Sequence, residues 1–461
     1  MRITVVGLGY VGLVTAACLA DWKHLVTGVD ADADRLADLT GGRLPIHEPL
    51  LDEMVATNRA AGRLRFSDVA GLPRAVENAD LVILAVGTHD GNGGWQTETM
   101  RRALATVVPN LRAGTPLVVR STLPPEFINQ LADLVTRLRG LEESDVPVLL
   151  NPEFTQEGRA VSDFMQPSRV ICGVAHDPDG SGTKRLRQLF STTTSPFIPM
   201  PAIDASFAKL GSNLFLATKI SFANELAALC DAYGAGIDNV VDAMALDPRI
   251  GRAFLGAGLG FGGSCLPHQA AMTVKTARVA GLPTPLLAAV VDINDAQPAH
   301  FVGRLEQLLV AGLAGARVSL LGLTFKPDTD DLRDAPSLAT ARLLLERGAL
   351  VNAYDPMPAA RQRAAEMVSG LRIAASTEEA LAGADAAMLV TEWAEFSALD
   401  WGQLRPLMRQ PIVVDGRNAL DPEVVVGAGF TYSAFGRGWS SPAPESIGRS
   451  RRPVLAQADV A

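Results

Sequence analysis

The chain is short of cysteine, of aromatic side chains, of positive charge and of long apolar runs, and each shortage closes off a class of protein. Its four cysteines among 461 residues, Cys18, Cys172, Cys230 and Cys265, stand far apart with no Cys-x-x-Cys or Cys/His spacing. Neither a disulfide framework nor a metal site is therefore expected. Lys and Arg number 41 against 50 Asp and Glu, a formal charge of −9. That balance argues against an electrostatic hold on nucleic acid or an anionic membrane, and leaves room for a local basic pocket for a phosphorylated small molecule. No apolar run approaches the roughly 20 residues that span a bilayer, and the N-terminus opens directly into a strand pattern, so the cytoplasm is the expected location. Aromatics at 5% beside 48% hydrophobic residues fit Val/Ala/Leu-rich α/β layers, and the length predicts roughly three units.

What is present falls into three blocks and a tail. RITVVGLGYVGLVTAACLAD reads as strand, glycine turn and helix, and LVTGVD follows as a second strand ending in Asp30. LVILAVGT, TPLVVRST and VPVLLNPEF are further strands separated by helical periodicity, which predicts a doubly wound parallel sheet over residues 1–200. From Ile203 about thirty residues nearly free of Gly and Pro predict one long helix, and the rest of 201–312 reads as helical. Helix faces left uncovered there are free for self-association. GARVSLLGLTFKP, ALVNAYDP, ADAAMLVTEW and PIVVDGRN predict a second α/β sheet over 313–438, and 439–461, rich in Ser, Pro and Arg, reads as a mobile tail. The expected fold class is α/β, with two Rossmann-like doubly wound parallel-sheet domains joined by a long central helix and an all-helical middle domain.

Gly7, Gly9 and Gly12 form G-x-G-x-x-G at the end of the first strand, with Asp30 closing the second. In that frame the glycines permit a tight turn against a pyrophosphate at a helix N-terminus, and the acid accepts from ribose hydroxyls and disfavours a 2′-phosphate, which points to NAD. NPEFTQEG places Glu153 and Glu157 just past a strand's carboxyl end, where open α/β sheets bind ligands; two loop carboxylates are also simply common. Lys209 and Asn213, four apart on the long helix, share a face whose other members, Leu216 and Ile220, are apolar; they are either a solvated helix end or an oxyanion clamp. In GFGGSCLPHQ the glycines suggest backbone pressed against a ligand. Cys265 there is a nucleophile only if positive charge favours its thiolate, and otherwise inert.

Taken together, GLGYVGL, STLPP, NPEFTQEGRAVSDF, KLGSNLFLATKISFANEL, DPRIG, GFGGSCLP, GLTFKPDTDDLRDAPS, YDP, TEW and DGRN resemble, in order and spacing, the UDP-glucose/GDP-mannose dehydrogenase family, from Arg2 to about Gly438. The resemblance implies NAD-dependent, four-electron oxidation of the C6 alcohol of a nucleotide-linked hexose, UDP-glucose by default. It implies that Cys265 captures the aldehyde and carries a thioester, that Lys209 and Asn213 stabilise oxyanion character, and that Thr122 and Glu157 organise a water with Glu157 as base and Glu153 auxiliary. Gly7, Gly9, Tyr10, Val11, Gly12, Asp30, Arg35, Thr88, Ser121, Thr122, Glu157 and Arg333 fall on dinucleotide-contacting positions. Phe154, Glu157, Lys209, Asn213, Arg249, Phe254, Phe261, Gly262, Phe325, Lys326 and Arg417 fall on positions that hold the nucleotide sugar. Arg249 is implied to reach across a homodimer interface formed by the helical middle.

The likeness breaks at two positions that matter. Where relatives end the cysteine phrase in Lys-Asp, this chain has His268 and Gln269. Gln269 can hold a hydrogen bond but cannot take up a proton, and general acid–base help is worth about 10² to 10⁴ in rate. Loss of the Lys removes a charge that favours the Cys265 thiolate, unless His268 is protonated. The sequence therefore supports a working dehydrogenase first and, as the alternative, a divergent homologue with impaired turnover; a two-electron hydroxyacid-type enzyme is a third reading that Cys265 disfavours. VGTH, PPEF and Thr155 are smaller departures that bear on loop shape and sugar choice.

Overall fold

The computed structural model describes residues 1–89 and 94–442. The chain divides into two compact units, Met1–Ser212 and Asn213–Ala461. Eight strands form the sheet of the first: β1 Arg2–Val6, β2 Leu25–Val29, β3 Leu64–Ser67, β4 Leu81–Leu84, β5 Leu117–Val119, β6 Val148–Leu150, β7 Val170–His176 and β8 Phe197–Pro201. Their order is β3-β2-β1-β4-β5-β6-β7-β8. The central strands are apolar throughout because both faces are covered: in β4, Leu81 and Ile83 enter one core and Val82 and Leu84 the other.

The expectation of a parallel sheet needs one correction. β6 and β7 pair antiparallel, Leu150 opposite Gly173. Because the chain turns back there instead of crossing over, residues 151–169 all stay at the carboxyl edge of the sheet, with the short helix Ala160–Met165 as their only regular element. The strands β3, β7 and β8 also escaped the sequence reading, β3 and β8 because they are short and carry arginine or proline.

The helix expected from Ile203 is a single run, Ala202–Tyr233. In the second unit the helices Ile237–Ala245, Leu266–Val279 and Pro285–Leu308 precede a seven-stranded sheet. Its strands are β9 Arg317–Leu321, β10 Leu350–Tyr354, β11 Arg372–Ile373, β12 Ala386–Leu389, β13 Ile412–Asp415, β14 Thr431–Ala434 and β15 Trp439–Ser440, in the order β11-β10-β9-β12-β13-β14-β15. Ala223, Ala227, Phe301 and Leu305 share one core with Val318, Leu320 and Val414, so these helices pack on the second sheet, while Ala217, Phe261 and Val290 form a small cluster of their own. Of the tail expected from 439, the first two residues form β15, which pairs antiparallel with β14, Ser433 opposite Trp439. The remainder, 443–461, lies outside the described residues. No helix among the described residues is long and apolar enough to cross a membrane.

The two sheets repeat one another at the residue level. After β1, Gly7 turns at φ +90° and donates to the Val29 carbonyl at 2.8 Å; after β9, Gly322 turns at φ +98° and donates to the Tyr354 carbonyl at 2.8 Å. The next amide, of Leu8 or Leu323, donates to the aspartate closing the second strand, Asp30 at 2.6 Å or Asp355 at 2.7 Å. A Cβ on Gly322 would stand 2.5 Å from the Thr391 Cβ in addition to forcing a left-handed side chain. Gly322→Ala is expected to destabilise the protein by about 3 kcal/mol or more, from strain and overlap together. Gly312→Ala, also at positive φ but in open space, is expected to cost about 1 kcal/mol. Chemical denaturation of both variants checks the difference.

Candidate active site

In the first sheet the chain winds outward from β1 through β2 to β3 and then resumes on the other side at β4, which opens a crevice at the carboxyl ends of β1 and β4. Gly7 sits there. Gly9 is the N-cap of the helix Tyr10–Asp21, which Tyr10 and Val11 begin; it offers no side-chain cap, and the space beside it is open. The first-turn amides of this helix are therefore available to an anion. Gly12 serves packing instead: a Cβ there would lie 1.8 Å from the Gly7 carbonyl oxygen.

Asp30 is 7% exposed and accepts from the amides of Leu8 and Asp32 and from Arg35, the last at 3.0 Å. A carboxylate has about four acceptor sites, so one remains for a ribose hydroxyl. Its counterpart Asp355 is fully buried, and Leu323, Thr324, Met357 and Trp393 all donate to it, Thr324 twice. Thr324 also stands where the first sheet has Gly9. The same turn thus fits a dinucleotide in the first sheet and is closed to one in the second. At the next strand ends, the Thr88 hydroxyl donates to the Thr122 carbonyl at 2.7 Å and the Ser121 hydroxyl to the Val86 carbonyl at 2.7 Å, two bonds that tie the loops after β4 and β5 together along the crevice.

The loop after β6 carries the acids. Glu153 is buried, with Lys209 Nζ 2.8 Å from its Oε1 and the Thr155 amide and hydroxyl donating to its Oε2 at 2.7 and 2.8 Å. Burial pushes the Glu153 carboxyl up, but the Lys209 ammonium and the Thr155 donors outweigh it and hold the group below the ordinary carboxylate range. The Phe154 ring lies between two cations, Arg169 at 3.7 Å and Lys209 at 5.3 Å from its centroid. Glu157 is half-buried and opens the turn 157–159. Thr122, Ser121, Ser206 and Lys209 border a cavity of about 10 Å³, room for about one water among polar groups.

Sequence reasoning missed Arg120 and Asn151 in this neighbourhood. Arg120 is buried, donates to the Asn151 side chain at 2.6 Å and lies 5.0 Å from the Phe164 ring. Burial lowers its pKa to about 10, with the Glu153 charge opposing the shift. Both residues line a cavity of about 250 Å³ together with Glu153, Phe154 and Arg169. A charged side chain inside VVRST, an otherwise apolar strand end, was the available signal.

In the second unit all attention falls on Cys265. Burial pushes the Cys18 thiol up to about 12 and the Cys172 thiol up to about 11, and raises Cys230 as well. Cys265 alone among the four free cysteines is not buried, and it is the N-cap of the helix Leu266–Val279. Gln269, one turn on and 2% exposed, accepts from the Asn213 amide at 2.9 Å. His268 Nε2 lies 2.6 Å from Asp334.

The glycines before the thiol are held to that residue type by packing. A Cβ on Gly262 would lie 2.3 Å from the Asp334 carbonyl oxygen, and one on Gly263 2.8 Å from the Phe325 ring. The chain's own packing requires them to lack a side chain. Phe261 is buried against Ala217 and Val290. Arg417 donates to the carbonyls of Val390, Gly260 and Phe325 at 2.6, 2.7 and 3.1 Å, tying the glycine loop to the sheet. Lys326 lies over Phe325, Arg333 is held by Asp331, and Phe254 adopts a left-handed backbone at φ +64°. Arg249 is exposed and held only by its neighbour Asp247.

The sign of the Lys209–Glu153 coupling can be tested by pH. With Glu153 held below its unfolded pKa of about 4.3, the pair's contribution is present above that pH and lost as pH falls through the folded value. Lys209→Met leaves the burial without the cation, so the folded pKa rises and the acid form is favoured instead. The variant is expected to be about 3–5 kcal/mol less stable near neutral pH, with the deficit shrinking as pH is lowered towards about 4. Denaturant melts of both proteins across this range check it.

Residues 1–194 match the NAD binding domain of the UDP-glucose/GDP-mannose dehydrogenase family, residues 204–296 its central domain and residues 319–422 its UDP binding domain. A UDP-glucose 6-dehydrogenase of Rhizobium meliloti (strain 1021) is 38% identical over 444 residues, covering 95% of this chain and 100% of that protein. The solved UDP-glucose dehydrogenase of the hyperthermophilic archaeon Pyrobaculum islandicum superposes with a TM-score of 0.83 at 35% identity, over 90% of this chain and 94% of that one. A UDP-D-ManNAc dehydrogenase of Pyrococcus horikoshii gives a TM-score of 0.83 at 28% identity, over 95% and 100%. With an NAD-accepting turn in its first sheet and the family's domains along its length, this chain belongs to the UDP-glucose/GDP-mannose dehydrogenase family and is an NAD-dependent nucleotide-sugar dehydrogenase.

Proposed function

We propose that the chain oxidises the C6 alcohol of a nucleotide-linked hexose, UDP-glucose by default, to the carboxylate, with Cys265 as the covalent carrier. The observation that supports this most is the contrast among the thiols: three are buried with raised pKa values, whereas Cys265 is partly open at a helix N-terminus, whose partial positive charge favours an anionic sulfur. Bound NAD supplies the acceptor for the hydride lost in each oxidation.

The first oxidation removes a hydride from C6 and a proton from its hydroxyl, leaving an aldehyde. The Cys265 sulfur then bonds to C6 while the thiol proton goes to the oxygen, giving a thiohemiacetal. Loss of a second hydride and the hydroxyl proton leaves a thioester. Water adds, the C–S bond breaks, sulfur recovers a proton and the acid is released as carboxylate. One alcohol and one water thus yield one carboxylate, two reduced cofactors and three protons.

Lys209 and Asn213, one turn apart on the helix Ala202–Tyr233, hold the negative oxygen that develops in these steps. Glu157 takes the proton of the attacking water, which Thr122 helps to orient, and Glu153 acts as an auxiliary acid by holding the Lys209 ammonium. Phe154, Phe254, Phe261, Gly262, Phe325 and Lys326 form the nucleotide-sugar site. Gln269 keeps the hydrogen bond that positions Asn213 while giving up a proton site. This supports a retuned enzyme over the impaired homologue, because the acceptor role of the replaced acid is retained. The four free cysteines support a reducing, cytoplasmic setting.

Counting NADH per UDP-glucose tests the reading: two are expected, none would mean a binding module, and one a two-electron enzyme. Cys265→Ser is expected to abolish uronate formation with NAD affinity retained; an unchanged uronate yield in that variant would rule out the thioester route. A parallel panel with UDP-D-ManNAc and GDP-mannose decides the sugar.

We also propose a homodimer through the helical segment, with Arg249 reaching the partner's site. Phe215, Phe222, Leu229 and Tyr233 are exposed along the helix Ala202–Tyr233 at intervals of seven, seven and four residues, a single stripe with no cover among the described residues. Sedimentation is expected to give a dimer for the native protein and a monomer for Phe222→Asp. A native monomer at micromolar concentration would sink the proposal.

A further inference from the structure

Glu48 has no part in the reading above, yet it is 1% exposed and lies in the loop between the helices Ala33–Thr40 and Leu51–Ala60. A carboxylate buried this deeply is costly unless its oxygens are bonded. Both are: Oε1 accepts the Ala160 amide at 2.7 Å, and Oε2 accepts the Gly158 amide at 2.7 Å and the Tyr10 hydroxyl. These amides lie 112 and 110 residues away in sequence and directly follow Glu157. The N-cap of the helix Ala160–Met165 is Arg159, which provides no side-chain cap, and the first helical amide, which has no partner within its helix, is satisfied from afar. Tyr10 in turn opens the helix at the dinucleotide turn.

We propose that Glu48 is a positioning residue for Glu157: it fixes the backbone that carries the base and ties that backbone to the first turn of the dinucleotide helix. Glu48 need touch neither substrate nor cofactor for this. A general base acts only within hydrogen-bond reach of the proton it takes, and a displacement of about 1 Å costs about 10²-fold in rate. The inference rests on Glu157 being the base of thioester hydrolysis, and its consequences concentrate on that step.

The test compares Glu48→Gln, Glu157→Gln and the double variant as full-length proteins with NAD and UDP-glucose. Glu48→Gln is expected to lower kcat about 10²-fold with KM for UDP-glucose changed less than about threefold. Acid-quenched samples should carry the uronyl adduct on Cys265 by intact-mass spectrometry, as Glu157→Gln does. The double variant should be no slower than Glu157→Gln alone, since the two residues act through one group. A wild-type kcat for Glu48→Gln, a slow enzyme without adduct, or multiplying effects in the double variant would overturn the proposal while an adduct on Glu157→Gln kept the function reading intact. No adduct on Glu157→Gln would remove Glu157 as base, and the positioning role with it. Should Glu48→Gln not fold, Glu48→Asp, with its charge kept and its reach shortened, carries the same expectations at about tenfold in kcat, and a wild-type kcat there overturns the proposal equally.

Discussion

A carboxylate taken out of water must have its lone pairs bonded, and this chain uses that demand to fasten its loops. Asp30 holds Leu8 and Asp32, Glu48 holds Gly158 and Ala160, Glu153 holds Thr155 and Lys209, Asp355 holds Leu323, Thr324 and Met357, and Asp415 holds Arg417 and Leu420. Each stands at or near the carboxyl edge of a sheet, where the loops have no ladder to hold them. At Asp415 burial wins over its donors and raises the pKa, whereas at Glu153 a neighbouring ammonium reverses the sign. The same kind of group is thus a structural staple in one place and one half of a buried ion pair in another.

The two sheets illustrate how little separates a cofactor turn from a structural one. Both have a left-handed glycine after the first strand and an aspartate that accepts the next amide. In the second, a threonine stands in the place of Gly9, and its hydroxyl and the Trp393 indole both donate to an aspartate that is fully buried. The backbone plan is shared, and what differs is the residue two after the glycine and the burial of the carboxylate.

The phrase around Cys265 separates two roles that look alike in sequence. Its glycines answer to Asp334 and Phe325, a steric requirement of the fold. The thiol stays partly open while every other thiol is buried. Gln269 shows a similar division: it accepts a hydrogen bond from Asn213, and its amide cannot take up a proton.

The sequence by itself determined the α/β alternation, the long helix from residue 202, the dinucleotide turn with Asp30, and the family, because these depend on local periodicity and on motifs within a few residues. Only the tertiary structure decided that β6 and β7 run antiparallel and keep residues 151–169 at one edge, that β15 returns to the sheet, and that Arg120 and Asn151 stand behind Glu153. It alone brought Glu48 to amides more than a hundred residues away. Strand direction, burial and hydrogen-bond partners are set by what packs against a segment. A carboxylate in a loop reads the same in sequence whether it faces water or is enclosed by donors from elsewhere in the chain.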